Sequence, residues 1–272
     1  MILFLNRKKT TQMIIFSIKN NIFKYFYKLK KIKKKKKLNN SFSVEGLKEI
    51  KMALIANYIP EYILIYNKIC KYEFISNFFI KKYMITYFLY NKISYRKKTG
   101  GIIASFFKKK LNIKNMKISL SALFLILEGI EKPGNLGAIF RTADAVGIDA
   151  ILLCNNKVDI FNPNVIRSSL GTIFTNQIFI ANYKIIISWL NKNQIKIIST
   201  SVNKIYNNFF IKKIKNKSFA IIIGSESKGL SDIWFKKKKN IINIPIKGKI
   251  DSLNVSTSTA IILYEILRKK LY

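Results

Sequence analysis

The second half of the chain alternates between short runs of apolar residues and stretches with helical spacing. That alternation constrains the fold more than any other feature. LFLILEGI (Leu123–Ile130), AILLC (Ala150–Cys154), KIISTS (Lys196–Ser201), FAIIIGSES (Phe219–Ser227) and NIINIPI (Asn240–Ile246) read as strands. NQIFIA (Asn176–Ala181) and IISWL (Ile186–Leu190) add further apolar runs. A strand apolar on both of its faces must be covered on both, which is the situation of a mostly parallel sheet flanked by helices. GNLGAIFRTADAVGI (Gly134–Ile148) supplies one helix with its entry loop, and STAIILYEILRKKL (Ser258–Leu271) another. The expected fold class is therefore α/β, with ligand-binding loops beyond the carboxyl ends of the strands.

A smaller α/β domain precedes it, expected over residues 41–107. In FSVEGLKEIKMAL, Phe42 and Val44 alternate as in a strand, and Leu47, Ile50 and Leu54 then recur at helical spacing. YILIYN (Tyr62–Asn67) reads as a buried strand, followed by the apolar segment MITYFLY (Met84–Tyr90) and by GGIIASF (Gly100–Phe107). Residues 1–40 read as a basic arm ending in KLKKIKKKKKLNN (Lys28–Asn40), and residues 108–117 as a linker to a domain over 118–272.

Charge bears on partners. The 272 residues include 50 Lys and Arg against 13 Asp and Glu, a formal charge of +37. Such an imbalance points first to nucleic acid and second to an anionic membrane surface, although AT-rich coding also enriches Lys, Ile and Asn. There is no histidine. Every Ser-His or Cys-His catalytic arrangement is thereby excluded, together with the commonest metal ligand. Cys70 and Cys154 lie in apolar segments without CxxC spacing, so neither a disulfide framework nor a metal site is expected. MIIFSI (Met13–Ile18) is short for a signal-peptide core, and no stretch approaches the ~20 apolar residues needed to span a bilayer. The expected setting is cytoplasmic, without membrane contact.

Three loops rich in Gly and small polar residues leave three of the strands. EGIEKPGNLGAIFRTAD carries Asn135, Gly137 and Arg141; IIIGSESKGLS carries Gly224, Glu226 and Gly229; IPIKGKIDSLNVS carries Pro245, Gly248, Ser252 and Asn254. Each has a plain structural reading. Arg141 and Asp144 could form an i,i+3 pair, Ser231 could cap a helix, and SLNVSTSTA could be helix caps. No standard nucleotide motif is present, because GNLGAIF lacks the third glycine of GxGxxG and no GK[ST] loop occurs.

In order and spacing these stretches resemble the three motifs of the SpoU (TrmH) family of SPOUT RNA 2′-O-methyltransferases. NLGAIFRTA is similar to the first motif, IIIGSESKGLS to the second and IPIKGKIDSLNVSTSTAIILYE to the third. NPNVIRSSLGTIF (Asn162–Phe174) is similar to the family's intervening segment, and FSVEGLKEIKMAL with GGIIASF to an RNA substrate-binding domain. Ser227 stands where many relatives have Gly, and Thr257 and Thr259 replace small apolar residues. The resemblance implies a C-terminal deep trefoil knot, a homodimer through the knotted domain, and S-adenosylmethionine held by Gly224, Ile244 and Leu253. It also implies methyl transfer to a ribose 2′-hydroxyl of structured RNA, rRNA or tRNA, with Arg141, Asn135, Glu226, Ser252 and Asn254 as the catalytic set. The family's arginine is read as a base or as a polarising group. Since a guanidinium stays protonated, orienting a phosphate or the hydroxyl and stabilising negative charge is the preferred role for Arg141. The alternative of another class is a non-catalytic RNA-binding or ribosome-assembly protein on the same fold.

Overall fold

The computed structural model describes residues 13–31, 40–66, 68–70, 80–95, 100–109, 113, 116, 118–202, 217–235 and 240–271. The chain divides into two compact units, residues 1–109 and 110–272.

Unit 1 runs β1 (Met13–Ile15), α1 (Asn21–Lys31), β2 (Ser41–Glu45), α2 (Leu47–Ile55), β3 (Pro60–Ile65), β4 (Lys81–Ile85), α3 (Tyr87–Ile93) and β5 (Ile102–Phe107). Its five-stranded sheet has the order β1-β4-β3-β5-β2, parallel among β1, β4 and β3 and antiparallel where β5 meets β3 and β2. α1 and α3 share one core, in which Phe23, Phe26, Leu89, Tyr90 and Ile93 pack with Ile15, Leu64, Ile85 and Ile103.

This corrects the arm expected over residues 1–40. Met13–Ile15 pairs in register with Tyr83–Ile85, and α1 buries Phe23, Phe26 and Leu29. Those three residues recur every third position, a helical stripe obscured by the intervening lysines. Residues 1–12 and 32–39 of the expected arm lie outside the described residues. MITYFLY is likewise two elements. Thr86 ends β4 and caps α3, its Oγ1 accepting from Leu89 N at 3.4 Å.

Unit 2 runs β6 (Leu123–Glu128), α4 (Pro133–Val146), β7 (Ala150–Cys154), α5 (Pro163–Ser168), α6 (Thr172–Thr175), β8 (Ile178–Ile180), α7 (Tyr183–Lys192), β9 (Lys196–Thr200), β10 (Phe219–Ile223), β11 (Ile241–Ile242) and α8 (Val255–Leu271). Its six strands have the order β11-β9-β10-β6-β7-β8, and every pairing is parallel. One face packs Phe124, Ile126, Leu152, Cys154, Ala220 and Ile222 against Ile186 and Leu190 of α7 and against Trp234. The alternate residues Leu125, Leu127, Ile151, Leu153, Ile221 and Ile223 are equally buried. α4 packs with α5, α6 and α8. Each fully buried Leu or Ile stabilises by roughly 1.5–3 kcal/mol, which is why both alternations of these strands are apolar.

The apolar run IISWL is part of α7, and of NIINIPI only Ile241 and Ile242 are strand. Within the expected linker, Ile113 is buried in unit 2's core; most of that segment lies outside the described residues. Among the described residues no helix is long and apolar enough to cross a membrane, and no group of three or more His, Cys, Asp or Glu could hold a metal ion.

Candidate active site

Parallel register decides where loops collect. Ile223 pairs with Leu127, and Glu128 with Cys154, so Gly224 and Glu128 fall on one rung. Ile242 pairs with Thr200 at the same end of β9. Strands β6, β10 and β11 therefore all end at one edge of the sheet. β11 is three strands away from β6, roughly 14 Å at ordinary strand spacing. Residues 243–254 cover that distance, because Asn254 Nδ2 donates to Asn135 Oδ1 at 3.2 Å.

Asn135 in turn donates through Nδ2 to Glu226 Oε1 at 2.7 Å, and Glu226 Oε2 accepts from Glu131 N at 3.3 Å. The direction of this relay is fixed by chemistry. An ionised carboxylate only accepts, so Asn135 must turn its NH2 toward Glu226 and its oxygen toward Asn254. Asn254 uses its own Oδ1 to accept from Ser256 N at 2.9 Å and Ser256 Oγ at 2.7 Å, which caps α8. The capping expected of SLNVSTSTA therefore belongs to Asn254. The Ser and Thr residues after Val255 are inside α8, where Thr259 Oγ1 donates to Val255 O at 2.7 Å.

A second set of ties, outside the expected site residues, joins the first two loops. Glu128, 5% exposed, accepts from Ser231 N at 2.9 Å, Ser231 Oγ at 2.8 Å and Asn155 Nδ2 at 3.2 Å. Ser231 thus does not cap the short 3₁₀ turn at Asp232–Trp234; its hydroxyl is spent on Glu128. Farther out, Glu131 Oε1 accepts from Ser227 Oγ and Lys157 Nζ, both at 2.7 Å. Lys157, then Ser227, holds the Glu131 carboxyl below its ordinary value. Burial, with the nearby Glu128 charge, pushes the Cys154 thiol up to about 11, so it stays protonated at neutral pH. A carboxyl at a strand end is the sequence signal for Glu128, but it is visible only once the strand's limits are known.

Two glycines are required by close approach. A Cβ on Gly224 would lie 2.5 Å from Gly229 O and Leu230 N, so only glycine lets the 225–229 turn fold back on β10. A Cβ on Gly137 would lie 2.5 Å from Val165 O and 2.9 Å from Ser169 N, so this glycine serves the packing of α4 on α5.

The other expected residues are placed as follows. Arg141 is exposed on α4, and the pair with Asp144 is not formed: Asp144 Oδ1 accepts from Thr175 Oγ1 at 2.8 Å. Ser252 is exposed, and Ile244 and Leu253 are half-buried on the segment that returns from β11. Asn135, Glu226 and Asn254 are brought together; Arg141 and Ser252 stand beside them in sequence without a hydrogen bond to them. Each loop also presents exposed lysine: Lys132, Lys228, and Lys247 with Lys249. The clefts along α7, one of about 590 Å³ lined by Ile113, Lys184 and Trp189, contain none of these residues. Convergence of loops at the strand ends, and not cleft size, selects the site.

Residues 122–264 match the SpoU rRNA Methylase family, and residues 20–104 the MRM3-like substrate binding domain. Curated relatives are matched over 60–67% of their own length. Among them is the Bacillus subtilis 23S rRNA (guanosine(2553)-2′-O)-methyltransferase RlmP, 30% identical over 55% of this chain and 60% of that protein. The crystal structure of an RNA 2′-O ribose methyltransferase superposes with a TM-score of 0.82 at 29% identity, over 96% of this chain and 100% of that one. An AdoMet-bound rRNA methyltransferase from Sinorhizobium meliloti shares the fold, with a TM-score of 0.83 at 24% identity over 94% and 97% of the two chains.

Proposed function

The chain belongs to the SpoU rRNA methylase family, and from that premise we propose that it transfers a methyl group from S-adenosylmethionine to a ribose 2′-hydroxyl of structured RNA. Ribosomal RNA is the first reading of the substrate and transfer RNA the second. The observation that carries the proposal is the Asn254–Asn135–Glu226 relay, which draws three strand-end loops into one site.

The donor set suits this cofactor. A neutral adenine and a cationic sulfonium need backbone groups and small neutral side chains, and not a lysine cradle. Gly224, Ile244 and Leu253 would hold it, and when bound it would supply an electrophilic methyl group. The exposed lysines of the three loops meet phosphates and bring the ribose to the site. Asn135 and Asn254, held rigid by their mutual hydrogen bond, orient the ribose and cofactor, and Ser252 sits near the target hydroxyl. Positioning supplies much of the acceleration. Arg141, always cationic, orients a phosphate or the hydroxyl and stabilises the negative charge that develops as the hydroxyl proton leaves to solvent. Glu226 acts as the anchor between loops.

The knot and the homodimer belong to the same proposal. The return of residues 243–254 supports the first, and the exposure of the large apolar side chains Ile261 (36%) and Tyr264 (51%) on α8 supports the second.

The test is direct. Purified protein, unmodified RNA and methyl-labelled S-adenosylmethionine should give label in alkali-stable dinucleotides, because a 2′-O-methyl group blocks hydrolysis of the adjoining phosphodiester. RNA binding without such label would instead return the chain to the RNA-binding or ribosome-assembly alternative.

A further inference from the structure

Unit 1 carries a surface to which methyl transfer gives no role. α1 and α3 share a core, and Lys30 Nζ ties them by donating to Lys92 O at 3.0 Å and Ser94 O at 2.7 Å. Neither helix contains an acidic residue. On α1, Lys24, Tyr27, Lys28 and Lys31 fall at i, i+3, i+4 and i+7, one stripe of the helix, and its three lysines are exposed. On α3, Tyr87 and Phe88 are 54% and 63% exposed.

Lysines and rings are interleaved across this surface. Lys31 Nζ lies 4.4 Å from the Tyr27 ring centroid, Lys92 Nζ 4.4 Å from that of Phe88, and Lys30 Nζ 5.9 Å from that of Tyr95. Lys31 foremost, with Lys92 and Lys30 behind it, holds the Tyr27 phenol below its ordinary value, so cations from both helices converge on one ring. Lysines alone would suit any polyanion. An exposed ring such as Phe88, set among cations, suits a polyanion that also offers flat aromatic groups, which a paired duplex keeps stacked inside.

We propose that the α1–α3 face binds an unpaired segment of RNA, with a base stacked on Phe88 and phosphates on Lys28, Lys31 and Lys92. The inference rests on RNA being the substrate class and adds which part of the RNA unit 1 grips.

The test uses the full chain and two labelled probes of equal length, an RNA hairpin with a long unpaired loop and a blunt RNA duplex. Phe88→Ala should weaken hairpin binding about 5- to 150-fold, the range for one stacked base, and leave duplex binding unchanged. Phe88→Trp should restore it, which separates lost stacking from misfolding. The combined Lys28→Gln, Lys31→Gln, Lys92→Gln variant should lower the log–log salt slope for the hairpin by about 2. Equal loss for hairpin and duplex, or hairpin binding indifferent to Phe88, would overturn the inference. So would Phe88-dependent capture by phosphatidylserine vesicles without Phe88-dependent hairpin binding. Phe88-dependent hairpin binding without any methyl transfer would uphold it while removing the proposed activity.

Discussion

The two units solve the burial of a sheet in different ways, and the difference decides what each can do. All six strands of unit 2 run parallel, so each strand ends at the same edge. Loops leaving β6, β10 and β11 are thereby brought together at that edge. In unit 1 the sheet is mixed, with β5 running against the other four strands, and the described residues there form no side-chain relay between strand-end loops like that of unit 2. Unit 1 offers helix faces instead. The cores differ as well. Unit 2 packs mainly Ile and Leu around its strands, whereas unit 1 packs rings on rings, as in Phe42 on Phe106 at 6.0 Å and Tyr25 edge-on to Tyr62 at 5.8 Å. A parallel sheet makes a site; a mixed sheet with an aromatic core makes a surface.

Breaking the convergence in unit 2 should have the largest effect. Gly224→Ala forces a methyl group into the turn that folds back on β10, at a cost of about 3 kcal/mol. Cofactor affinity measured by calorimetry should fall about 100-fold or more, with unit 1's RNA binding intact. Glu128→Ala comes next, since it leaves three donors from two loops unpaired in a buried place. It should cost about 2–3 kcal/mol of stability in thermal unfolding, and Glu128→Gln, which keeps one acceptor, should cost less. Arg141→Lys keeps the charge but loses the planar fork. Turnover should drop about 100-fold with cofactor affinity unchanged, and near-normal turnover across the pH–rate profile would remove Arg141 from any special role.

Two pH effects are smaller and separate the units. Burial, with Glu61 adding to it, raises the Tyr25 phenol to about 12, and burial alone does the same for Tyr58; both are in unit 1. A folded pKa above the unfolded value near 10 favours the protonated, folded form. That stabilisation is complete below pH 10 and lost as pH rises toward 12, so a tyrosinate absorbance titration should lag and then coincide with loosening of unit 1. Glu131 is the opposite case. Its depressed pKa means the tie to Ser227 and Lys157 is complete above 4.5 and lost as pH falls through the lower folded value. Exchange protection of the Ser225 and Gly229 amides in the adjoining turn, corrected for the intrinsic pH dependence of exchange, should fall only in that acid range.

The sequence made unit 2 legible because both alternations of each strand are apolar and because three motif loops follow three of them. AILLC is strand over the very residues expected. Asn135, Glu226 and Asn254 were identifiable as candidates, but their linkage was not, since they are 91 and 119 residues apart in the pairs they form. Glu128 and Glu131 escaped notice because a carboxyl's partner depends on register, which only the paired strands reveal. In unit 1, the stripe Phe23, Phe26 and Leu29 was hidden by lysines that occupy the solvent side of the same helix. Charge advertised a tail where periodicity had already written a helix.

Everything proposed for unit 2 depends on its loop site methylating ribose. Mapping 2′-O-methyl positions in total cellular RNA, with and without the protein, tests it most directly. At least one ribose, in ribosomal or transfer RNA, should lose its alkali resistance when the protein is absent and regain it with the wild-type chain but not with Arg141→Lys. Identical maps in the presence and absence of the protein would contradict it.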